Sequence, residues 1–241
     1  MQWALILGAS GDIGKQTAVD LAKAGWSLYL HYFKGKQTAV KLQKQLHERY
    51  PDQDFLLIQA DLSQNSSVSQ IISQLFSLNA VIFAQGTTDY GLFAEADPQA
   101  LSKMLTMQVE LPLQLIQSVQ DKLALSGQGR VIFVGSVYGG AGSAMEVGYS
   151  TVKGALSAFV SAYSKEVASL GITVNVIAPG AVSTRMNLTF SAAERAEVAA
   201  EIPAGYFAQT SEISYWIKAL LDKQAGYLTG QTIYVTGGWL K

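Results

Sequence analysis

Apolar residues come in short blocks along this chain. Runs that are apolar almost throughout stand at 3–7 (WALIL), 27–32 (SLYLHY), 54–59 (DFLLIQ), 80–84 (AVIFA), 130–134 (RVIFV), 172–177 (ITVNVI) and 232–235 (TIYV). Longer stretches with helical spacing separate them, at 12–24, 36–49, 64–77, 98–125, 149–169 and 210–221. Strands without a polar face, alternating with amphipathic helices, predict an α/β fold. It is the doubly wound kind, a seven-stranded and mainly parallel sheet with helices on both faces. No linker, repeat or low-complexity segment breaks the chain, so residues 1–241 predict one domain. The stretch 184–209 follows a strand, departs from the alternation and predicts an inserted helical flap.

Composition narrows the chemistry. The chain has 17 basic and 18 acidic residues, which points to neither nucleic acid nor a membrane surface as partner. It has no cysteine, which removes disulfides, thiol chemistry and cysteine metal sites. Its two histidines, His31 and His47, are too few for a histidine-built centre, and no metal is expected. The N-terminus lacks a basic stretch before its short apolar run, and no apolar run nears the ~18 residues of a membrane span. These features predict a cytoplasmic protein, and they make the sequons at Asn65 and Asn187 chance matches.

The turn after the first run reads LILGASGDIG, with Gly8, Gly11 and Gly14 spaced by three. Such a turn between strand and helix lets backbone approach a diphosphate at a helix N-terminus. The candidate contacts are Gly8, Ser10, Gly11, Asp12, Ile13 and Gly14. Asp12 would repel a phosphate if it pointed inward, and it is expected to cap the helix instead. The end of the second strand, Tyr32 to Lys36, carries no acid to hold a ribose 2′-hydroxyl. Lys34 or Lys36 would suit a 2′-phosphate, so the expected cofactor is NADP(H).

Tyr149 and Lys153 stand four apart, one turn along a predicted helix. The same spacing recurs at Tyr32 and Lys36, but there it falls in a strand-end turn. Ser136 lies just past the fifth strand, at the end of the sheet where ligands bind in open α/β folds. A phenol beside an ammonium can donate a proton to a carbonyl that receives a hydride. The ammonium is expected to lower the phenol pKa and so open the reverse direction. Ser136 would bond the same substrate oxygen.

LGASGDIG, QADLS, Ser136 with Tyr149 and Lys153, NVIAPGAVST and YLTGQTIYVTGGW together resemble the short-chain dehydrogenase/reductase family over essentially the whole chain. The resemblance implies a Rossmann-type fold in which Ser136 polarises a carbonyl, Tyr149 is the proton donor and Lys153 holds the nicotinamide ribose. It implies that Asp61 and Leu62 border the adenine, and that Ala84 and Gly86 lie near the cofactor ribose. Pro179, Gly180, Val182 and Thr184 would line the nicotinamide, with 184–209 as the substrate lid. The family's catalytic Asn aligns with Gln108, which could hold the same water with a longer arm. The segment 83–86 and Asp12 also depart from the family pattern.

Within the family, LYLHY, QADLS, EVGYSTVKGA, EIP and GGW resemble the elongation factor P 5-aminopentanone reductases, while length and the TGQ…GG ending resemble 3-oxoacyl-[acyl-carrier-protein] reductases. Glu146, three residues before Tyr149, either faces the pocket and suits an amine or serves as a first-turn acid of the helix. A catalytically silent NADP(H) sensor is the third reading. The family implies a homodimer or homotetramer that pairs through 98–125, 149–169 and the last strand. Trp3, Trp26, Trp216 and Trp239 are expected in the core or at subunit contacts.

Overall fold

A computed structural model describes residues 1–187 and 191–240. Leu188 and Thr189 of the second sequon, and that part of the expected flap, lie outside the described residues. The chain runs β1 (Gln2–Leu7), α1 (Asp12–Lys23), β2 (Trp26–Tyr32), α2 (Lys36–Arg49), β3 (Phe55–Gln59), α3 (Ser66–Ile72) and β4 (Ala80–Phe83). It continues through α4 (Pro98–Leu105), α5 (Leu111–Leu125), β5 (Arg130–Val134), α6 (Tyr138–Ala141), α7 (Val147–Val167) and β6 (Thr173–Pro179). It ends with α8 (Ala192–Glu201), α9 (Thr210–Leu221) and β7 (Thr232–Val235).

Alternate positions of each strand feed two different cores. In β1, Trp3, Leu5 and Leu7 enter one core while Ala4 and Ile6 enter the other; in β4, Val81 and Phe83 part from Ala80 and Ile82 in the same way. Side chains on a strand alternate faces, so a sheet covered on both sides needs apolar residues at every position. The first core is closed by Val68 and Ile71 of α3, Leu115 and Val119 of α5, and Leu156 and Val160 of α7. The second is closed by Ala18 and Leu21 of α1, Leu42 and Leu46 of α2, and Ile213 and Ile217 of α9.

The seven strands pair in the order β3-β2-β1-β4-β5-β6-β7, and every pairing is parallel. The chain's direction of travel across the sheet reverses between β1 and β4. That reversal opens a crevice beyond their carboxyl ends, where ligands bind in such sheets.

Two helices differ from expectation. The stretch 64–77 yields only α3, after which the chain leaves the helix at Ser73. The stretch 98–125 is not one helix: between α4 and α5 the backbone widens into a π turn, Thr106–Glu110. Pro112 supplies the cause. It lacks an N–H, and its ring crowds the carbonyl four residues back, which belongs to Gln108. Tyr32 ends β2 and Lys36 opens α2, so that pair flanks the turn rather than lying within it, and the two share no helix face. In the flap region α8 begins with a capping box, in which Ser191 Oγ accepts from Glu194 N–H and Glu194 Oε2 accepts from Ser191 N–H.

Candidate active site

The glycine turn leaves β1 at the crevice. Gly8 has φ +80°, and a Cβ on it would lie 2.8 Å from the Gln85 nitrogen in the chain leaving β4. A Cβ on Gly14 would lie 2.3 Å from the Gly8 carbonyl oxygen, so the turn folds onto itself with no room for side chains. His31 fixes the turn from below. Gly8 N–H donates to its Nδ1 at 3.1 Å, and its Nε2 lies 3.1 Å from the Ala60 carbonyl. Only the neutral tautomer with the proton on Nε2 satisfies both partners. Burial pushes the His31 pKa down to about 4, against a weaker upward pull from the Ala60 carbonyl.

Asp12 does not cap α1. The N-cap is Gly11, with no side-chain bond, and Asp12 is the first residue of the helix. Its carboxylate turns to Arg185, accepting from the backbone N–H at 2.7 Å and from Nε at 2.9 Å. Ser10 packs beside Gly35, where a Cβ would lie 2.7 Å from the Ser10 hydroxyl.

At the adenine end, Asp61 Oδ1 accepts from the Ser63 N–H at 3.0 Å and its hydroxyl at 2.8 Å. Burial pushes the Asp61 pKa up, but those bonds, with the charges of Lys103 and Lys34, outweigh it and hold the carboxyl low. Lys34 is exposed, with its ammonium 5.5 Å from the Phe33 ring centre. Lys36 is exposed too, on the first turn of α2. Tyr32 and Leu62 differ from expectation: both side chains are buried, Tyr32 with its hydroxyl toward Gln59 and Leu62 in the first core. Only their backbone can face a ligand.

The expected nicotinamide end is a cavity of about 720 Å³. Its wall takes Gly11, Asp12 and Ile13 from the turn, Ala84 and Gly86 from beyond β4, and Pro179, Gly180, Val182 and Thr184 from beyond β6. Ser136, Tyr149 and Lys153 face into it together. The Lys153 ammonium is buried, donates to the Val134 carbonyl at 3.0 Å and lies 5.4 Å from the Tyr149 ring centre. Burial alone lowers its pKa to about 8. Tyr149 moves opposite to expectation, up to about 12. Burial is the largest cause; Glu146 and Tyr138 add to it, and the Ser136 hydroxyl pulls the other way. The phenol therefore rests in its proton-carrying form.

Gln108 lies behind this wall, not on it. It is 2 % exposed, its amide nitrogen donates to the Thr87 carbonyl at 2.8 Å, and its buried Oε1 has no hydrogen-bond partner among the described residues. A Cβ on Gly86 would meet that Oε1 at 3.0 Å and the Lys153 nitrogen at 3.6 Å. The two groups thus converge on the space that Gly86 leaves open.

Several wall residues were not singled out as site residues in the sequence. Arg185, Thr88, Tyr90, Tyr138, Arg195 and Phe207 line the cavity, as does Trp239, which is also buried in a small core cluster as expected. Trp3 and Trp26 are in the core as expected, and Trp216 is largely exposed. Glu146 also lines the cavity, and its Oε1 accepts from the Thr88 hydroxyl at 2.6 Å. It occupies the N-cap position of α7 but makes no capping bond, so the side chain serves the pocket.

The side-chain-free cradle at Gly8 and Gly14, the helix N-terminus behind it, and the unpartnered Gln108 oxygen beside an ammonium fit a dinucleotide. The sequence profile of the family described as "short chain dehydrogenase" matches residues 2–195. The chain belongs to the short-chain dehydrogenase family. As a member it is an oxidoreductase. It is 36% identical over 98% of its length, and 98% of the relative, to the uncharacterized oxidoreductase YmfI of Bacillus subtilis (strain 168). It is 27% identical, over 98% of itself and 96% of the relative, to the 3-oxoacyl-[acyl-carrier-protein] reductase FabG of Staphylococcus aureus (strain Mu50 / ATCC 700699). Among solved structures it is similar to the angucycline C-6 ketoreductase LanV with bound NADP, at TM-score 0.93 and 24% identity, covering 99% and 95% of the two chains. A blue fluorescent protein from a metagenomic library, in complex with NADPH, gives TM-score 0.91 and 26% identity over 99% and 97%.

Proposed function

We propose that this short-chain dehydrogenase is an NADPH-dependent reductase of a ketone that carries an amine, most like an elongation factor P 5-aminopentanone reductase. The observation that carries the reading is Glu146, a carboxylate in the cavity wall close enough to Tyr149 to raise its pKa. The same cavity is lined by Tyr90, Tyr138, Phe207 and Trp239, aromatic rings of the kind that hold ammonium groups. A substrate amine would find a counter-charge there while its ketone faces Tyr149.

The cofactor reading, NADP(H), rests on the absence of an acid at the end of β2, on Lys34 and Lys36 beyond it, and on the NADP and NADPH in the related structures. The glycine turn would hold the diphosphate, Asp61 the adenine, and Lys153 the nicotinamide ribose. When bound, the cofactor supplies the hydride. The chain's own part is to position the ketone and deliver a proton. Ser136 donates a hydrogen bond to the carbonyl oxygen, and the protonated Tyr149 phenol gives that oxygen its proton. Lys153 steadies the charge left on the phenol. Gln108, with Lys153, holds the space in front of Gly86 through which a water would return the proton to Tyr149. The expected lid would be formed by the described residues of this region that line the cavity, among them Arg195 and Phe207.

A 3-oxoacyl-[acyl-carrier-protein] reductase is the second reading, favoured by the relatives of that name. A second recess beside the cavity opening argues against it. Asp89, Glu95 and Asp97 line that recess, and they would repel the phosphodiester of a carrier arm. The family resemblance supports a homodimer or homotetramer. β7 supports it, as the half-buried free edge of the sheet. No helix among the described residues is long and apolar enough to cross a membrane.

The test is NADPH oxidation with three substrates: a short amino-ketone, elongation factor P bearing the aminopentanone group, and a short 3-oxoacyl thioester. Preference for the first two supports the proposal. Rapid turnover of the thioester alone replaces it with the second reading. Tight NADPH binding without turnover of any of them leaves a cofactor sensor.

A further inference from the structure

A negative charge inside a diphosphate-binding turn is an electrostatic problem. Asp12 opens α1, where the helix N-terminus attracts anions, and it lines the same cavity wall as Gly11 and Ile13. Unneutralised, it would oppose the phosphates that the turn is shaped to receive. Arg185, 173 residues further on, removes the problem. Its backbone N–H binds Asp12 Oδ2 at 2.7 Å, its Nε binds Oδ1 at 2.9 Å, and its Nη2 donates to the Ser10 carbonyl at 2.9 Å. Both oxygens of the acid are thus engaged by one residue. The guanidinium thus spans Ser10 and Asp12 of the turn, with no bond from its Nη1 among the described residues. Arg185 follows Thr184 directly and lines the cavity in contact with the turn.

Resting on the cofactor reading above, we infer that Arg185 is a further cofactor-binding residue, a cation for the dinucleotide's diphosphate held in place by Asp12. Arginine suits the task, since its planar fork can bind a carboxylate and a phosphate oxygen at the same time. The acid is then no longer a repulsive intruder in the turn. It anchors the cation. The Arg185 side chain is 62% exposed in the ion pair, so the cation remains open to a second anion while Asp12 holds it.

The inference makes a prediction opposite to simple charge counting, by which removing Asp12 should always help an anion to bind. Dissociation constants for NADPH would be measured by fluorescence in the wild type, Arg185→Gln, Asp12→Asn and the double variant. Adenosine 2′-monophosphate, which lacks the diphosphate, serves as the control ligand. Arg185→Gln should weaken NADPH binding about tenfold while leaving the control ligand within twofold. Asp12→Asn alone should also weaken NADPH, on the order of threefold, because the cation loses its anchor. In the Arg185→Gln background the same change should tighten NADPH, because only repulsion is left to remove. An unchanged NADPH affinity in Arg185→Gln overturns the inference. So does tightening by Asp12→Asn in both backgrounds. A wild type that binds neither ligand overturns the cofactor reading itself, an outcome distinct from either.

Discussion

The Lys153 ammonium faces the Tyr149 ring from 5.4 Å yet spends a hydrogen bond on the Val134 carbonyl, at 3.0 Å. It is buried with no carboxylate partner among the described residues, so its own charge is the costly one. The phenol beside it keeps its proton, and the pair rests in the state from which a proton can be given.

That arrangement sets a pH profile. The Lys153 pKa is lowered to about 8 and the Tyr149 pKa is raised to about 12. Ketone reduction should therefore be level below pH 8 and fall as pH rises through 8, because Lys153 loses its charge while Tyr149 still holds its proton. Steady-state kcat/KM for reduction between pH 6 and 10 checks this. A rise across that range would mean that the lysine charge is not needed.

Tyr149→Phe keeps the ring and removes the transferable proton. It should lower kcat by about 10³-fold or more, within the range of general acid catalysis, and leave the NADPH dissociation constant within about twofold. Equal losses in binding and turnover would move Tyr149 from proton donor to cofactor support.

Glu146→Gln removes the carboxylate and keeps the shape. Against an amino-ketone, kcat/KM should fall by about tenfold or more, and a neutral ketone of equal length should change little. Because Glu146 also raises the Tyr149 pKa, the reverse reaction, oxidation of a neutral alcohol, should become faster at a given pH. Equal effects on both ketones would reduce Glu146 to a structural acid of α7.

His31 titrates near pH 4 in the folded protein, against an ordinary value of 6.5. The unfolded chain therefore binds a proton first. The stability that the neutral ring contributes is whole above pH 6.5 and is lost as pH falls from there toward 4. At ~1.4 kcal/mol per pKa unit, the full loss is ~3 kcal/mol. His31→Gln can offer the same donor and acceptor without titrating. Its melting temperature should drop less between pH 7.5 and 4.5 than that of the wild type. Parallel drops would show that His31 does not carry the acid sensitivity.

The strands were plain in the sequence because covering both faces of a parallel sheet demands unbroken apolar runs, and the chain obeys. The gathering of Ser136, Tyr149 and Lys153 was equally plain, since a strand end and a helix turn fix them locally. The π turn was harder to see, although Pro112 marks its cause. The direction of the Tyr149 shift was hidden because burial of the phenol and the reach of Glu146 are tertiary facts. Asp12 read as a cap because its true partner, Arg185, is remote in sequence and lies in a stretch with no regular pattern. Trp239 read rightly as a core residue, but its second part, in the cavity wall with Tyr138 and Phe207, was hidden because only the fold brings the three together.

The π turn at Thr106–Glu110 places one surplus residue inside what is otherwise a run of regular helix. Because the wide turn absorbs that residue, deleting one there would close it into ordinary helix and leave α4 and α5 on the faces they now present. The residues of the turn itself would move, and Gln108 would leave its place beside Gly86. A gap of one in this stretch would therefore spare the core and fall on the site, and it would look in an alignment like the mildest of changes.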